Sequence, residues 1–166
     1  LEDWPDERIW DELTRRSESV DHPELERGEI FDKSLAPLRS YVCETMQNGR
    51  LFLLGDAAHI VPPAGAKGLN LAVSDACVLS YALGAYYRDG IREHLDSYSR
   101  TCLPRIWQAQ HFSWLLTTTF HTLSDDPMDL QLRLSRMRRW VESEAEQRAL
   151  GEVYLGLPFP TPWSYA

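Results

Sequence analysis

The fold of this chain is decided by Leu51-Phe52-Leu53-Leu54-Gly55-Asp56-Ala57-Ala58-His59 and the residues after it, Ile60-Val61-Pro62-Pro63-Ala64-Gly65-Ala66-Lys67-Gly68-Leu69-Asn70. The unbroken apolar run at 51–54 is typical of a strand covered on both faces, as in a parallel sheet. Gly55-Asp56 ends that strand, and the prolines and glycine that follow predict a loop. From Leu69 to Tyr87 apolar residues recur every three or four positions, which predicts a helix of about five turns ending near Gly90.

Asp56 follows the predicted strand at its carboxyl end, which is where open α/β sheets place their ligands. A carboxylate in that position can accept hydrogen bonds from sugar-like hydroxyls. Gly65 and Gly68 allow the backbone to approach a flat ligand. Because Gly68-Leu69-Asn70 opens the helix, its free N–H groups and positive dipole end would stabilise an anion at the loop. Taken alone, the same residues are also typical of a strand-end turn followed by a helix cap.

Further elements are predicted on both sides of this stretch. Asp6–Arg16 has apolar residues at helical spacing, with acids early and arginines late, and predicts a short amphipathic helix. Alternation over Leu38–Val42 predicts a strand. Downstream, one long helical pattern covers Leu95–Leu116 with Pro104 as an expected kink, and another covers Leu130–Ala145 with its arginines on a solvated face. The proline-containing tail from Gly156 to Pro162 is predicted to be irregular.

Composition and charge exclude several classes of function. The 166 residues carry a formal net charge of −8, and a pI of about 5.1 argues against nucleic acid and anionic membranes as partners. The unbroken apolar stretches fall far short of a bilayer span, so no membrane partner is expected. Three widely spaced cysteines, Cys43, Cys77 and Cys102, indicate reduced thiols and a cytoplasmic protein. The histidines show no metal-ligand spacing, so no metal is assigned, and His59 is interpreted as structural.

Gly49–Asp75, with Lys33–Ser40 upstream and Tyr154-Leu155-Gly156-Leu157-Pro158 near the end, resembles the FAD-dependent aromatic hydroxylases, and within them the hydroxylases of 4-hydroxybenzoate. Many flavin hydroxylases share the motif Gly55–His59, whereas the motif Val61–Asn70 is typical of a much smaller group of them. The resemblance implies an α/β fold class, here an α+β fragment that is the C-terminal part of a Rossmann-like FAD/NAD(P)-binding flavoprotein. Such a fragment is mostly helical after a short strand segment.

The resemblance also implies a division of the chain. Residues 1–48 would be the end of the substrate-domain region, 49–90 a strand-loop-helix unit completing the FAD-binding domain, and 91–166 a C-terminal helical region. No Gly-x-Gly-x-x-Gly follows a predicted strand, although an FAD enzyme of this kind needs one for the pyrophosphate. An N-terminal FAD-binding segment, with most of the sheet, is therefore expected to precede Leu1.

Roles for individual residues follow from the resemblance alone. Asp56 would bind the ribityl chain of FAD, and the backbone of Leu69 and Asn70 would face the pyrimidine edge of the flavin. Catalytic roles would belong to the Pro63 carbonyl, beside the substrate phenol, and to Tyr154, in a hydrogen-bond relay that deprotonates that phenol. The complete set of predicted cofactor-binding residues is Asp56, Gly65, Lys67, Gly68, Leu69, Asn70 and, toward NADPH, Arg39.

The implied reaction is reduction of FAD by NADPH, followed by transfer of one oxygen of O2 to the ring carbon ortho to the phenolate of 4-hydroxybenzoate. Such a homodimeric monooxygenase would serve the breakdown of aromatic compounds. Position 64 holds Ala64 where relatives often have threonine, which leaves the orientation of the substrate open. Two alternatives stay open: a related phenolic substrate, or a non-catalytic fragment that binds little FAD as an isolated chain.

Overall fold

A computed structural model describes residues 4–17, 25–35 and 37–156 of the chain. The chain divides into two compact units, Leu1–Pro37 and Leu38–Ala166. The boundaries expected at residues 48 and 90 remain predictions. The tail beyond Gly156 lies outside the described residues, as do Leu157 and Pro158.

The first unit contains helix α1 (Asp6–Ser17), which confirms the predicted amphipathic helix. Acids lie in its first turn and Arg15 and Arg16 in its last turn, an arrangement that complements the helix dipole. Beyond the helix, the indole Nε1 of Trp10 donates to the Gly28 carbonyl at 3.1 Å.

The second unit begins with four two-residue strands that form two antiparallel pairs. The strands are β1 (Tyr41–Val42), β2 (Gln47–Asn48), β3 (Leu51–Phe52) and β4 (His59–Ile60), and β1 pairs with β4 while β2 pairs with β3. Of the strand predicted over Leu38–Val42, only the last two residues are extended in a ladder. Short 3₁₀ turns, Gly55–Ala57 and Pro63–Gly65, flank β4.

The strand predicted over Leu51–Leu54 is shorter than expected, because only Leu51 and Phe52 lie in a ladder, and the described residues do not cover it on both faces. Leu51 is 62% exposed, and β3 pairs only with the antiparallel strand β2. The described residues supply no second neighbouring strand for β3, so its apolar side chains are covered on one face only. Phe52 lies on that covered face and contacts Tyr98 edge to face, with ring centroids 5.6 Å apart.

Helices make up the rest of the second unit: α2 (Gly68–Asp89), α3 (Glu93–Asp96), α4 (Tyr98–Phe120), α5 (Pro127–Glu142) and α6 (Glu144–Leu155). α2 ends at Gly90 in the left-handed conformation, as predicted. The helix predicted over Leu95–Leu116 is interrupted at Ser97 and contains Pro104. The helix predicted over Leu130–Ala145 is divided at Ser143, whose extended backbone and hydroxyl begin α6.

α2 is apolar on more than one face, which changes which of its residues are buried. The predicted apolar face includes Leu69, Val73 and Tyr87, which are 77%, 56% and 78% exposed. The buried face lies one position away and is lined by Leu71, Ser74, Asp75, Val78, Ala82 and Ala85. A helix that is apolar all round is normally covered all round. The described residues therefore cover one face of α2 and leave another apolar face exposed.

α2 packs against α4 to make the core of the second unit. Met46, Val78, Tyr98 and Ile106 are among its fully buried side chains. The Tyr98 hydroxyl donates to the Leu53 carbonyl at 2.9 Å and so ties α4 to the end of β3. By length and composition α2 could also cross a membrane. The buried core helix of a soluble protein has the same properties.

Candidate functional site

The turn after β3 presents Asp56 to solvent. Gly55 has a φ of +57°, in the left-handed region that favours glycine. A Cβ on Gly55 would lie 3.2 Å from the Ala72 Cβ, so this turn lies directly on α2. The Ala58 N–H donates to the Gly55 carbonyl at 2.8 Å and closes the turn. Asp56 is thus an exposed carboxylate on a compact turn.

A buried carboxylate lies beneath this turn. Asp75, on α2, is 1% exposed, and its Oδ2 accepts the Gly55 N–H at 3.0 Å. The same oxygen is 2.7 Å from Nε2 of His59, which is also 1% exposed. The two ends of the segment from Gly55 to His59 are therefore held by one atom. This agrees with the interpretation of His59 as a structural histidine.

Two further ionisable groups surround this pair in the core. Burial, with a smaller contribution from the negative charge of Asp75, raises the pKa of the Cys102 thiol well above its usual range. Burial likewise raises the pKa of the Tyr98 hydroxyl. Both groups are therefore neutral at physiological pH.

The loop between β4 and α2 is fixed to α4. Gln110 Nε2 donates to the Ile60 carbonyl at 2.7 Å, and the Ser113 hydroxyl donates to the Pro62 carbonyl at 3.1 Å. A Cβ on Gly65 would lie 2.8 Å from Cδ1 of Phe112. Gly65 therefore serves the close packing of the loop on α4, a role that the sequence did not predict. Whether Gly65 also contacts a ligand remains a prediction.

The N-terminus of α2 is open. A Cβ on Gly68 would meet nothing within 4 Å. The cap residue Lys67 makes no side-chain hydrogen bond to the first turn, and that turn contains no acid. Leu69 and Asn70 are exposed. Backbone N–H groups at such an end are available to an acceptor on a ligand.

α6 brings Tyr154 to this end of α2. Lys67 Nζ donates to the Tyr154 carbonyl and lies 4.7 Å from the centroid of the Tyr154 ring. The Tyr154 ring also contacts Phe112 edge to face, with centroids 6.0 Å apart. Lys67 and Tyr154, which are far apart in sequence, are thus neighbours in the structure.

A cavity of about 230 Å³ lies beside Lys67, between α2, α4 and α6. Arg105 of α4 and Glu152 of α6 contribute charged groups to its wall. Burial lowers the pKa of the Arg105 guanidinium relative to its ordinary value. The N-terminal end of α2 and the C-terminal end of α6 therefore border the same cavity.

The predicted site residues fall into two groups in this structure. Those in the loop, at the start of α2 and on α6 surround one end of α2: Pro63, Gly65, Lys67, Gly68, Leu69, Asn70 and Tyr154. Asp56 lies on the adjoining turn, which packs on the same helix. Arg39 is exposed and stands two residues before β1, which pairs with β4. Asp75 and Phe112 were missed, although an acid among the apolar residues of α2 was a signal for Asp75.

Residues 1–113 match the family model described as FAD binding domain. The chain belongs to this FAD-binding family. Over 160 residues it is 44% identical to p-hydroxybenzoate hydroxylase of Acinetobacter baylyi, an alignment that covers 96% of this chain and 40% of the relative. A putative polyketide hydroxylase of Streptomyces halstedii is 36% identical over 60% of this chain and 18% of the relative. The resemblance to the FAD-dependent aromatic hydroxylases is thereby confirmed.

Solved structures of RebC, an enzyme of rebeccamycin biosynthesis, have a similar fold. One, with reduced flavin, has a TM-score of 0.55 at 23% identity, and the match covers 90% of this chain and 30% of RebC. Another, soaked with K252c, has a TM-score of 0.56 at 25% identity, and the match covers 86% of this chain and 29% of RebC. The chain thus spans well under half the length of these relatives. The likeness to RebC supports the fold alone, a mostly helical chain with a few short strands.

The residues at the start of α2 fit one side of a flavin. A Cβ on Gly68 would project into open space, so the backbone here is accessible to a flat ring and, as glycine, allows its close approach. The uncapped amides and the adjacent Lys67 provide donors and positive charge, while the exposed Asp56 provides acceptors for hydroxyl groups. The match is to a ligand with a polar, electron-rich edge and a hydroxylated chain.

Proposed function

We propose that this chain forms the isoalloxazine and ribityl side of the FAD site in an aromatic hydroxylase. The observation that carries the proposal is the open N-terminus of α2, with Gly68 unobstructed and Asp56 exposed on the adjoining turn. The protein that carries this chain would hydroxylate 4-hydroxybenzoate ortho to its phenol, using NADPH and O2. FAD, when bound, supplies the electron transfer and the oxygen chemistry of such a reaction.

Binding of the cofactor would be shared among residues of the loop and of α2. The Asp56 carboxylate would accept hydrogen bonds from ribityl hydroxyls. The N–H groups of Leu69 and Asn70 would point to the pyrimidine edge, where reduced flavin carries negative charge. Lys67 adds positive potential at the same end of the helix, in the same direction as the helix dipole. These groups favour the anionic form of the reduced ring.

Pro63 and Tyr154 would act on the phenolic substrate. The Pro63 carbonyl already accepts the Ala66 N–H at 2.9 Å, but a carbonyl oxygen has two lone pairs, so one remains for a phenol O–H. Tyr154 would pass the phenol proton onward, since its hydroxyl can both accept and donate. The phenolate that results is more electron-rich than the phenol and reacts better with an electrophilic oxygen.

The other parts of the proposal concern what lies around this chain. Arg39, exposed before β1, would bind NADPH. An N-terminal segment with a Rossmann-like sheet and the pyrophosphate fingerprint would cover the exposed face of α2 and the open side of β3. Exposed aromatics on α4, among them Trp107 and Trp114, would serve a homodimer contact. The cytoplasm is the compartment that reduced cysteines suggest.

Two alternatives are kept. A different phenolic substrate is favoured by Ala64, because a methyl group stands at a loop position where relatives often have a hydroxyl. A non-catalytic role for the isolated chain is favoured by the exposed apolar face of α2, which lacks a partner in the described residues. With a different phenolic substrate the hydroxylation chemistry would be the same. With a non-catalytic role the isolated chain would carry out no hydroxylation.

The principal test uses the full-length encoded protein, loaded with FAD and supplied with NADPH. We expect 4-hydroxybenzoate to accelerate O2 uptake and to be converted to a dihydroxybenzoate in equal amount. Benzoate, which lacks the phenol, is the control for substrate-independent oxidation. Bound FAD without a dihydroxybenzoate product would support another substrate, and a full-length protein that binds no FAD would overturn the proposal.

A Tyr154→Phe variant tests the proposed relay separately. Phenylalanine keeps the ring contact with Phe112 and removes only the hydroxyl. We expect single-turnover hydroxylation to slow by about a hundredfold or more, the lower end of the usual contribution of a proton-transfer group, with FAD affinity unchanged. Rapid-mixing spectroscopy and flavin titration measure the two effects. Equal hydroxylation rates in variant and wild type would remove Tyr154 from the relay.

A further inference from the structure

Asp75 holds both ends of the turn that presents Asp56. Its Oδ2 accepts the Gly55 N–H at 3.0 Å, one residue before Asp56, and lies 2.7 Å from His59 Nε2, three residues after it. Both Asp75 and His59 are almost completely buried. Since hydrogen bonds to a charged acceptor are stronger and shorter than neutral ones, this one oxygen limits how far either end can move.

The tautomer of His59 follows from its surroundings. Among the described residues its buried Nδ1 has no hydrogen-bond partner. A proton on Nδ1 alone would leave a buried donor unsatisfied, which is costly, so Nε2 is assigned as the donor to the carboxylate oxygen of Asp75. Asp75 Oδ2 therefore accepts both hydrogen bonds, one from the Gly55 N–H and one from His59 Nε2.

The turn makes further contacts, within itself and with the elements on either side. Ala58 bonds to Gly55 within the turn, and its carbonyl accepts the Cys43 N–H at 2.8 Å on the β1 side. On the α2 side, a Cβ on Gly55 would lie 3.2 Å from the Ala72 Cβ, so the turn also packs closely on the helix there. Among the described residues, the hydrogen bond from Gly55 to Asp75 is thus the link between this turn and the helix whose N-terminus faces the flavin in the proposed function.

We propose that Asp75 is a positioning residue for the cofactor: through Gly55 and His59 it aligns the exposed carboxylate of Asp56 with the ribityl hydroxyls. This inference rests on the proposed function, because it requires FAD at the start of α2. Asp75 is 1% exposed, so it would act through the turn and not by touching the cofactor. Its removal should change the affinity for FAD more than its effect on folding explains.

The test measures FAD binding by the full-length apoprotein, from the change in flavin fluorescence, together with the thermal midpoint of the same apoprotein. Asp75→Ala removes both hydrogen bonds, and we expect the Kd for FAD to rise at least tenfold. Asp75→Asn retains a carbonyl oxygen that can accept both, and should recover most of the affinity. Val78→Ala, one turn further along the same buried face, is the matched control for a loss of core packing.

A double-mutant comparison separates alignment from general damage. In an Asp56→Ala background there is no carboxylate to align, so adding Asp75→Ala should raise the Kd less than threefold further. If Asp75→Ala is insoluble, His59→Gln replaces it, and its effect on the Kd for FAD is again compared with and without Asp56→Ala. This variant alters one end of the turn while the hydrogen bond from Gly55 to Asp75 remains.

Several results would overturn the inference. These are an unchanged Kd in Asp75→Ala, a Val78→Ala control that loses as much affinity at the same thermal midpoint, or independent effects of the Asp56 and Asp75 substitutions. Failure of the proposed function is distinct, since wild-type protein would then bind no FAD, or would bind it equally well after Asp56→Ala.

Discussion

Two glycines of the site loop have different physical reasons to be glycine, and substitution separates them. A Cβ on Gly65 would lie 2.8 Å from Phe112 and 3.0 Å from Ser113 Oγ, whereas a Cβ on Gly68 would meet nothing within 4 Å. We expect Gly65→Ala to lower the free energy of unfolding by about 1–3 kcal/mol, the usual cost of overpacking. Urea denaturation of the full-length protein measures it.

Gly68→Ala is the control for Gly65→Ala. It should leave the urea midpoint unchanged or slightly higher, because the added methyl group meets no atom and alanine is favoured over glycine in a helix. It should nevertheless weaken FAD binding, since the added methyl group enters the open space where the flavin is proposed to lie. Equal midpoints for the two variants would show that Gly65 is not closely packed.

Burial gives the three cysteines different reactivity. The Cys102 thiol is 5% exposed, and burial together with Asp75 raises its pKa, whereas Cys43 and Cys77 are half-buried. At about pH 8.5, near the ordinary pKa of a free thiol, iodoacetamide should modify Cys102 at least about tenfold more slowly, because the thiolate is the nucleophile. Mass spectrometry of timed samples measures the rates. Equal rates at all three positions would contradict the burial of Cys102.

At the scale of elements, α5 depends on its N-cap. Asp126 Oδ1 accepts the Met128 N–H at 2.9 Å, and Pro127 occupies the first turn, where its missing N–H costs nothing. Asp126→Ala should cost about 1 kcal/mol of stability, which a shift of the urea midpoint would detect. Asp126→Asn keeps a capping oxygen and is the control. If alanine and asparagine behaved alike, the cap would contribute nothing.

At the scale of the whole molecule, the described surface has too many large apolar side chains for an isolated chain. Leu69, Val73 and Tyr87 on α2, and Val141 and Leu155 on the last helices, are all more than half exposed. Large apolar patches associate in water. We expect the isolated 166-residue chain to form oligomers at micromolar concentration and to bind little FAD, as measured by light scattering and absorbance. A monodisperse, yellow monomer with one FAD would contradict this expectation.

The sequence determined the local elements and the family. Helical spacing located α1 and α2, and Gly90 marked the end of α2, because these signals depend on residues close together in the chain. The unusual run from Val61 to Asn70 was specific enough to indicate a flavin hydroxylase. The candidate residues of this run are contiguous, so their common location at the start of α2 follows directly from the chain.

Only the tertiary structure decided which faces are buried and which distant residues meet. α2 has apolar residues on two faces, so periodicity could not tell the face that packs on α4 from the one left open. The contacts of Asp75 with Gly55, of Lys67 with Tyr154 and of Gly65 with Phe112 depend on how helices dock. Such contacts join residues 20 to 87 positions apart, and no local signal in the sequence encodes that geometry.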